Sequence, residues 1–160
     1  MNILLTAFHG TSAENLIRQF DLRCDKVVLS NSKPQSVEQL IRLLALREYR
    51  HIISFGQKPV IKDKVYIERC ARLDNAVMQT TFPVSRLADA LTANGIAIKI
   101  SHNAGTSFCN HLYAHGLRHL AESTGNAKMV FLHVPFQKNI SDFDAFSQRL
   151  WAALDQFLSD

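Results

Sequence analysis

Short apolar runs that alternate with longer amphipathic segments constrain the fold of this chain more than any other feature. The runs have the length and β-branched content of buried strands, and the segments between them repeat apolar residues at helical spacing. Strands are predicted at residues 2–7, 26–29, 51–55, 65–70, 96–101 and 128–134, and helices at 13–20, 36–47, 85–94, 107–120 and 141–158. This alternation predicts an α/β fold, in which a mostly parallel sheet is covered by helices on both faces and functional loops follow the strand ends.

Three segments carry more specific expectations. Ser36 followed by Gln39 resembles a capping box, so the second helix is expected to begin there. A polar, proline-containing loop is expected beyond Gly56. Residues 72–81 show no clear pattern.

The composition is that of an ordinary globular domain. The chain has 160 residues, of which 47% are apolar and 20% are charged, and it contains no repeat or low-complexity tract. We therefore expect residues 1–160 to form one domain with its own core. The apolar start at residues 3–5 is too short for a signal peptide, and no run approaches the roughly 18 apolar residues of a spanning helix. These features predict a cytoplasmic protein that does not enter a membrane.

Charge and cysteine content argue against several classes of site. The net charge of +4 comes from scattered Lys and Arg, with only a loose basic stretch from Lys58 to Arg72, so nucleic acid is not an expected partner. The three cysteines are odd in number and lack zinc-type spacing, which argues against a disulfide framework and a structural metal site. Cys24 and Cys70 are most simply interpreted as buried small apolar residues.

Cys109 lies in the segment that links a predicted strand to a predicted helix, in the first turn of that helix. Unpaired backbone N–H groups and the positive end of the helix dipole favour a thiolate there, so we expect a pKa below the roughly 8.5 of a free thiol. The same N–H groups can hold an oxyanion. His133 ends the strand at 128–134, at the expected edge of the sheet. The two residues predict a Cys–His hydrolase site, and on periodicity alone the alternative is a core cysteine.

A metal hydrolase is the alternative enzyme class. His111, His115 and His119 recur every four residues along one predicted helix, and two such histidines can bind zinc. However, no carboxylate accompanies them in the pattern that zinc hydrolases use. We therefore expect no metal site here.

The amino-acid identities in several segments are more informative about function than the hydrophobic periodicity is. These segments closely resemble the characteristic segments of the pyroglutamyl peptidases, also called pyrrolidone carboxyl peptidases, a family of cytosolic cysteine peptidases. The segments that carry the resemblance are Asn103-Ala104-Gly105-Thr106, Cys109-Asn110-His111, Phe131-x-His133-Val134-Pro135, Phe82-Pro83-Val84 and Ile67-Glu68-Arg69.

The resemblance implies a three-layer α/β/α sandwich and a cysteine peptidase mechanism. In that mechanism Cys109 is the nucleophile, His133 is its base and Glu68 orients His133. The resemblance implies neither a metal nor a cofactor. The implied substrate is a peptide whose N-terminus is blocked by pyroglutamate, and family members often assemble, so a homo-oligomer is compatible with it.

The chain departs from the family around the expected substrate pocket. Phe8 is what is left of a longer aromatic loop that helps to hold the pyroglutamyl ring, and Gln57 is followed by Lys58-Pro59-Val60 in place of Gly-Gly-Arg. Arg72 corresponds by resemblance to an arginine in a longer family segment. Phe8, Gln57 and Arg72 are therefore the expected substrate-binding residues. A peptidase for a different acyl group and a catalytically inactive binding protein stay open as alternatives.

Overall fold

A computed structural model describes residues 2–21 and 23–159. The strands within these ranges are β1 Ile3–Phe8, β2 Asp25–Leu29, β3 His51–Lys58, β4 Lys64–Glu68, β5 Cys70–Leu73, β6 Ala76–Gln79, β7 Ala97–Ser101 and β8 Lys128–Pro135. The α-helices are α1 Ser12–Gln19, α2 Lys33–Leu46, α3 Val84–Ala93, α4 Phe108–Glu122 and α5 Phe143–Ser159. Among the residues described, no helix combines the length and the apolarity that crossing a bilayer requires.

Six strands form the central sheet, in the order β2-β1-β3-β8-β4-β7. The first four strands in this order run parallel to one another, whereas β4 is antiparallel to β8 and parallel to β7. The predicted mostly parallel sheet is therefore confirmed. The carboxyl ends of β1, β3 and β8 meet at one edge, and β4 approaches β8 from the opposite direction.

Helices cover both faces of this sheet. Helices α1, α3 and α5 bury one face, which includes Phe55 and Leu132, and α2 and α4 bury the other, which includes Ile52 and Phe131. Neighbouring residues of β8 thus enter different cores because side chains alternate across a strand. The three-layer α/β/α sandwich is confirmed, and burial on both faces explains why the inner strands are continuous apolar runs.

The start of α2 differs from its prediction. The helix begins at Lys33, where Ser32 is the N-cap and its side chain accepts a hydrogen bond from the Gln35 N–H group, so the predicted start at Ser36 is wrong. Pro34 lies in the first turn, where its missing N–H group and fixed φ suit a helix start. Ser36 is buried, and its hydroxyl donates to the Lys33 carbonyl.

Two further segments are ordered where the sequence predicts a loop or gives no pattern. Strand β3 continues through Gln57 to Lys58, because residues 56–58 pair in parallel register with residues 133–135 of β8. Residues 70–79 form the antiparallel hairpin β5–β6, which packs against α4. Asp74 turns the hairpin with a φ of 53°, in the left-handed region that Asp tolerates better than most residues.

Candidate active site

The carboxyl ends of β3 and β8 bring Gly56 and His133 side by side as register partners. Cys109, in the first turn of α4, lies directly over this point. A Cβ atom added to Gly56 would come within 2.5 Å of the Cys109 Sγ atom and 2.9 Å of the Phe131 ring. The glycine therefore leaves the space that the sulfur occupies, and Cys109 Sγ lies over the register partner of His133.

Glu68 reaches His133 from the antiparallel strand β4. Its Oε1 atom is 2.7 Å from His133 Nδ1, and the exposed fractions of the two side chains are 0% and 2%. The Tyr113 hydroxyl, from α4, donates to the Glu68 carbonyl at 2.8 Å and fixes the end of the strand. Because Nδ1 is engaged by the carboxylate, Nε2 is the ring nitrogen of His133 that is available for chemistry.

The pair is held as a carboxylate and a neutral imidazole. Burial raises the pKa of Glu68, but the hydrogen bond from His133 and the positive charge of Lys58 outweigh burial, so the pKa lies below its ordinary value. Burial lowers the pKa of His133, and Glu68 offsets this only in part. The imidazole is therefore ready to accept a proton, and Glu68 would stabilise the imidazolium that results.

Cys109 is a protonated thiol in this arrangement. Burial raises its pKa to about 12, with the charge of Lys58 acting in the opposite direction. The expectation of a lowered pKa is therefore wrong: the helix terminus is present, but desolvation of the sulfur where it packs over Gly56 outweighs it. No hydrogen bond joins Cys109 Sγ to His133 within residues 2–21 and 23–159, so the resting pair is neutral and unconnected.

The first turn of α4 offers backbone donors next to the sulfur. Ser107 is the N-cap but provides no side-chain cap, and the first intrahelical bond of the turn runs from the His111 N–H group to the Ser107 carbonyl. The N–H groups of Phe108, Cys109 and Asn110 thus have no acceptor within the helix. Gly105, with a φ of 91°, turns the loop in a conformation that other residues rarely adopt. The exposed N–H groups can stabilise an oxyanion beside Cys109.

A model of the family described as pyroglutamyl peptidase matches residues 58–147 of the chain. This region is more than half of the sequence and includes Glu68, Cys109 and His133.

The chain belongs to the pyroglutamyl peptidase family.

Curated relatives and solved structures agree with this membership. Pyrrolidone-carboxylate peptidases from Fusobacterium nucleatum and Vibrio vulnificus are 37% and 41% identical over 82 and 90 residues, which are 51% and 56% of this chain and 35% and 39% of theirs. The chain thus spans little more than a third of the length of these curated relatives.

The fold matches over almost the whole chain. Pyrrolidone carboxyl peptidase from Thermococcus litoralis superimposes with a TM-score of 0.81 at 22% identity, covering 99% of this chain and 94% of that one. Pyroglutamyl peptidase I from Bacillus amyloliquefaciens gives 0.82 at 19% identity, covering 99% and 97%. The sheet and its helices are therefore those of the family.

Phe8 lies next to Phe108, the first residue of α4, but inside the core. It ends β1, is 5% exposed, and makes an edge-to-face contact with Phe108 at a ring-centroid distance of 6.1 Å. Phe108 precedes Cys109 and is 38% exposed. Phe108 is not among the site residues expected from the sequence, although an aromatic residue directly before Cys109 is a usable signal. The accessible aromatic surface beside Cys109 belongs to Phe108 more than to Phe8.

Gln57 is largely used by the protein itself. Its register partner is Val134 rather than His133, and its Oε1 atom accepts hydrogen bonds from the Ser12 N–H group at 2.9 Å and the Ser12 hydroxyl at 3.2 Å. Gln57 thereby caps the start of α1. The amide NH₂ group is what this side chain can still offer to a substrate.

Arg72 is joined to the active-site helix through its backbone. The Arg72 N–H group donates to Asn110 Oδ1 at 2.8 Å, and Asn110 Nδ2 donates to the Arg72 carbonyl at 2.9 Å. This pair of bonds holds hairpin β5–β6 next to Cys109. Among the described contacts the Arg72 guanidinium enters no hydrogen bond or ion pair, and the residue is exposed.

The histidines of α4 do not form a metal centre by themselves. The rings of His111 and His115 lie 4.4 Å apart, but no three His, Cys, Asp or Glu side chains of the described residues converge in a geometry that could hold a metal ion. Lys58 is not among the site residues expected from the sequence, although its Nζ atom lies 3.3 Å from Glu68 Oε1. Its signal was its position, because it stands where the family resemblance calls for glycine.

Proposed function

We propose that this chain is a cysteine peptidase that removes an N-terminal pyroglutamyl residue from peptides. The observation that carries the proposal is the buried His133–Glu68 contact of 2.7 Å beside a cysteine sulfur that rests over Gly56. A histidine held by a carboxylate next to a nucleophile at a helix N-terminus is the arrangement that acyl transfer through a thiol requires. Family membership supports the choice of pyroglutamate as the acyl group.

The proposed reaction begins with a neutral thiol and a neutral imidazole. As the scissile carbonyl enters, Cys109 gives its proton to His133 Nε2 and its sulfur forms a bond to the carbonyl carbon. The backbone N–H groups of the first turn of α4 hold the oxyanion. His133 then protonates the leaving amine as the C–N bond breaks, and a thioester results.

Hydrolysis of the thioester restores the site. His133 takes a proton from water as the hydroxide attacks the carbonyl carbon, the C–S bond then breaks to release the free acid, and His133 returns the proton to the Cys109 sulfur. Glu68 keeps the imidazole oriented and stabilises its charged form in both halves. The raised pKa of Cys109 fits this scheme, because proton transfer accompanies attack and the resting thiol is protected from side reactions.

A panel of chromogenic acyl amides tests the proposal. The pyroglutamyl, prolyl and alanyl amides are assayed with the wild-type chain, with Cys109→Ala and with Cys24→Ala as the matched control, since Cys24 lies on the opposite side of the sheet in the other core. We expect preference for the pyroglutamyl amide, loss of turnover in Cys109→Ala and normal turnover in Cys24→Ala. Full turnover by Cys109→Ala would overturn the mechanism.

The same chemistry on a different acyl group is the second candidate function. It is favoured by the engagement of Gln57 with Ser12 and by the burial of Phe8, which leave fewer free partners for a lactam ring. Rapid turnover of another amide in the panel, with no turnover of the pyroglutamyl amide, would select this candidate. An inactive chain that folds normally would point to a binding protein.

A further inference from the structure

Lys58 reaches from the end of β3 to the carboxylate of Glu68. Its Nζ atom is 3.3 Å from Glu68 Oε1, the same oxygen that lies 2.7 Å from His133 Nδ1. The Lys58 side chain is 21% exposed, whereas both of the other side chains are buried. An ammonium therefore shares the carboxylate oxygen with the imidazole in a largely water-free site.

Lys58 also holds the loop that carries the nucleophile. Its Nζ atom donates to the Asn103 carbonyl at 2.8 Å, and residues 102–107 connect β7 to α4, whose first turn bears Cys109. The loop is fixed further by the Asn103 N–H group, which donates to Ser101 Oγ at 3.2 Å. One ammonium thus joins the loop before Cys109 to the carboxylate that contacts His133.

The charges around Cys109 and His133 act in opposite directions. The charged groups that act on this pair are Lys58 from β3 and Glu68 from β4, and the hydroxyl of Tyr113 from α4 donates to the Glu68 carbonyl. Glu68 disfavours a Cys109 thiolate and favours a His133 imidazolium, and the positive charge of Lys58 does the reverse at both residues. Lys58 therefore offsets part of the influence of Glu68.

We propose that Lys58 is a positioning residue of this site, which ties the loop before Cys109 to Glu68 and partly neutralises that carboxylate, so that His133 stays neutral until it receives the thiol proton. The proposal rests on the proposed function for the roles of Cys109, His133 and Glu68. It gives Lys58 a role that the family resemblance does not contain, since glycine is expected at this position.

Three substitutions separate charge from tethering. Lys58→Met removes both, Lys58→Gln retains a donor for the Asn103 carbonyl without the charge, and Lys58→Arg retains the charge. Lys99→Met is the matched control, because the Lys99 ammonium lies 5.1 Å from the Tyr66 ring centroid, over the same ring as Lys58 at 5.7 Å, but makes no ion pair with Glu68 among the described contacts.

Two readouts report on the pair without requiring turnover. The first is the midpoint of the His133 imidazole titration, followed by NMR, and the second is the rate at which iodoacetamide alkylates Cys109 at pH 8. In Lys58→Met and Lys58→Gln we expect the His133 midpoint to rise by about 0.5–1 pH unit and alkylation to slow about threefold. Lys58→Arg and Lys99→Met are expected to match the wild-type chain.

The result that overturns the proposal is a Lys58→Gln chain, folded by circular dichroism, whose midpoint and alkylation rate equal those of the wild-type chain. An Arg variant that shifts as far as the Met variant would overturn it as well, since the charge would then not be the cause. Failure of the proposed function is seen separately, in the acyl-amide panel. Shifted titrations in a chain that cleaves no pyroglutamyl amide would uphold Lys58 and reject that substrate.

Discussion

His51 and His133 lie at opposite ends of the same two neighbouring strands, and both are buried, with exposed fractions of 9% and 2%. His133 contacts a carboxylate, whereas His51 packs edge-to-face against the rings of Phe82 and Phe157, at centroid distances of 5.4 and 5.6 Å, and those two rings stack on each other. Burial lowers the pKa at both residues, and at His51, where Arg50, Arg86 and Lys128 add to it, the pKa falls to about 4. A buried histidine without a carboxylate partner stays neutral, whereas a buried histidine that contacts a carboxylate can accept a proton and release it again.

The same substitution at His51 and at His133 is expected to have opposite outcomes. We expect His133→Gln to lower kcat by at least about 10³-fold, because it removes the proposed acceptor of the thiol proton, and we expect His51→Gln to retain turnover. Steady-state kinetics with the preferred acyl amide of the panel measures both. Comparable losses in the two variants would mean that His133 acts through stability rather than chemistry.

Substitutions of Gly56 and Gly116 by alanine test how tightly the protein is packed around Cys109. Gly56→Ala places a Cβ atom 2.5 Å from Cys109 Sγ, so the nucleophile must shift, and we expect a loss of about 100-fold in kcat/KM with about 1–3 kcal/mol of destabilisation.

Gly116→Ala is the matched control on α4. Its Cβ atom would meet Met129 Sδ at the same distance of 2.5 Å, but a methionine side chain can move aside, and alanine favours the helix. We expect unchanged kinetics and a stability within about 1 kcal/mol of the wild-type value. Normal turnover by Gly56→Ala would contradict the placement of the sulfur.

We expect the buried His51 to lower the free energy of unfolding in acid. His51 has a pKa of about 4 when folded, below the roughly 6.5 of an unfolded histidine, so the folded state binds fewer protons between these values. The contribution of His51 is fully present above pH 6.5 and is lost as the pH falls through 4, an expected change of about 2–3 kcal/mol in the free energy of unfolding. Urea titrations of the wild-type chain and His51→Leu at pH 7 and pH 4 measure the change. An equal acid loss in both chains would refute it.

Gln57 is expected to give the smallest effect. Gln57→Ala removes the acceptor of the buried Ser12 N–H group, so we expect about 1 kcal/mol of destabilisation, together with a decrease of less than tenfold in the specificity constant for a pyroglutamyl amide. Gln137→Ala, which removes an exposed hydrogen bond to Asn15, is the control and should leave both quantities nearly unchanged. A specificity constant that falls a hundredfold would show that Gln57 is a principal ring contact.

The placement of Cys109 and His133 in the fold was predictable because it depends on local features. Cys109 falls in a helix start, and His133 falls at a strand end, and both features can be seen in short stretches of sequence. The pKa of Cys109 was not predictable in the same way, since it depends on burial of the sulfur over Gly56, which comes from another element of the fold. Local sequence reports the helix terminus but not the desolvation that outweighs it.

Strand register and strand direction are further features of the site that could not be predicted from the sequence. Gln57 follows Gly56 directly, and this one-residue step pairs it with Val134 and turns it toward α1 instead of toward Cys109. The antiparallel direction of β4 relative to β8 is a long-range property, and the sequence of residues 64–68 does not predict it. The membership of Glu68 in the site was therefore available from resemblance, whereas its approach to His133 required the structure.

The place of β8 in the sheet has a consequence for the order in which this chain folds. It is the last strand in the sequence, yet it lies between β3 and β4 and pairs with both. The two halves of the sheet therefore cannot join until residues 128–135 are present. During synthesis, Glu68 and Cys109 emerge from the ribosome before His133, because both precede it in the sequence. Contacts between such distant segments form slowly, and until β8 inserts, its neighbours present open strand edges. Thiol reactivity during translation should therefore change abruptly when this strand emerges.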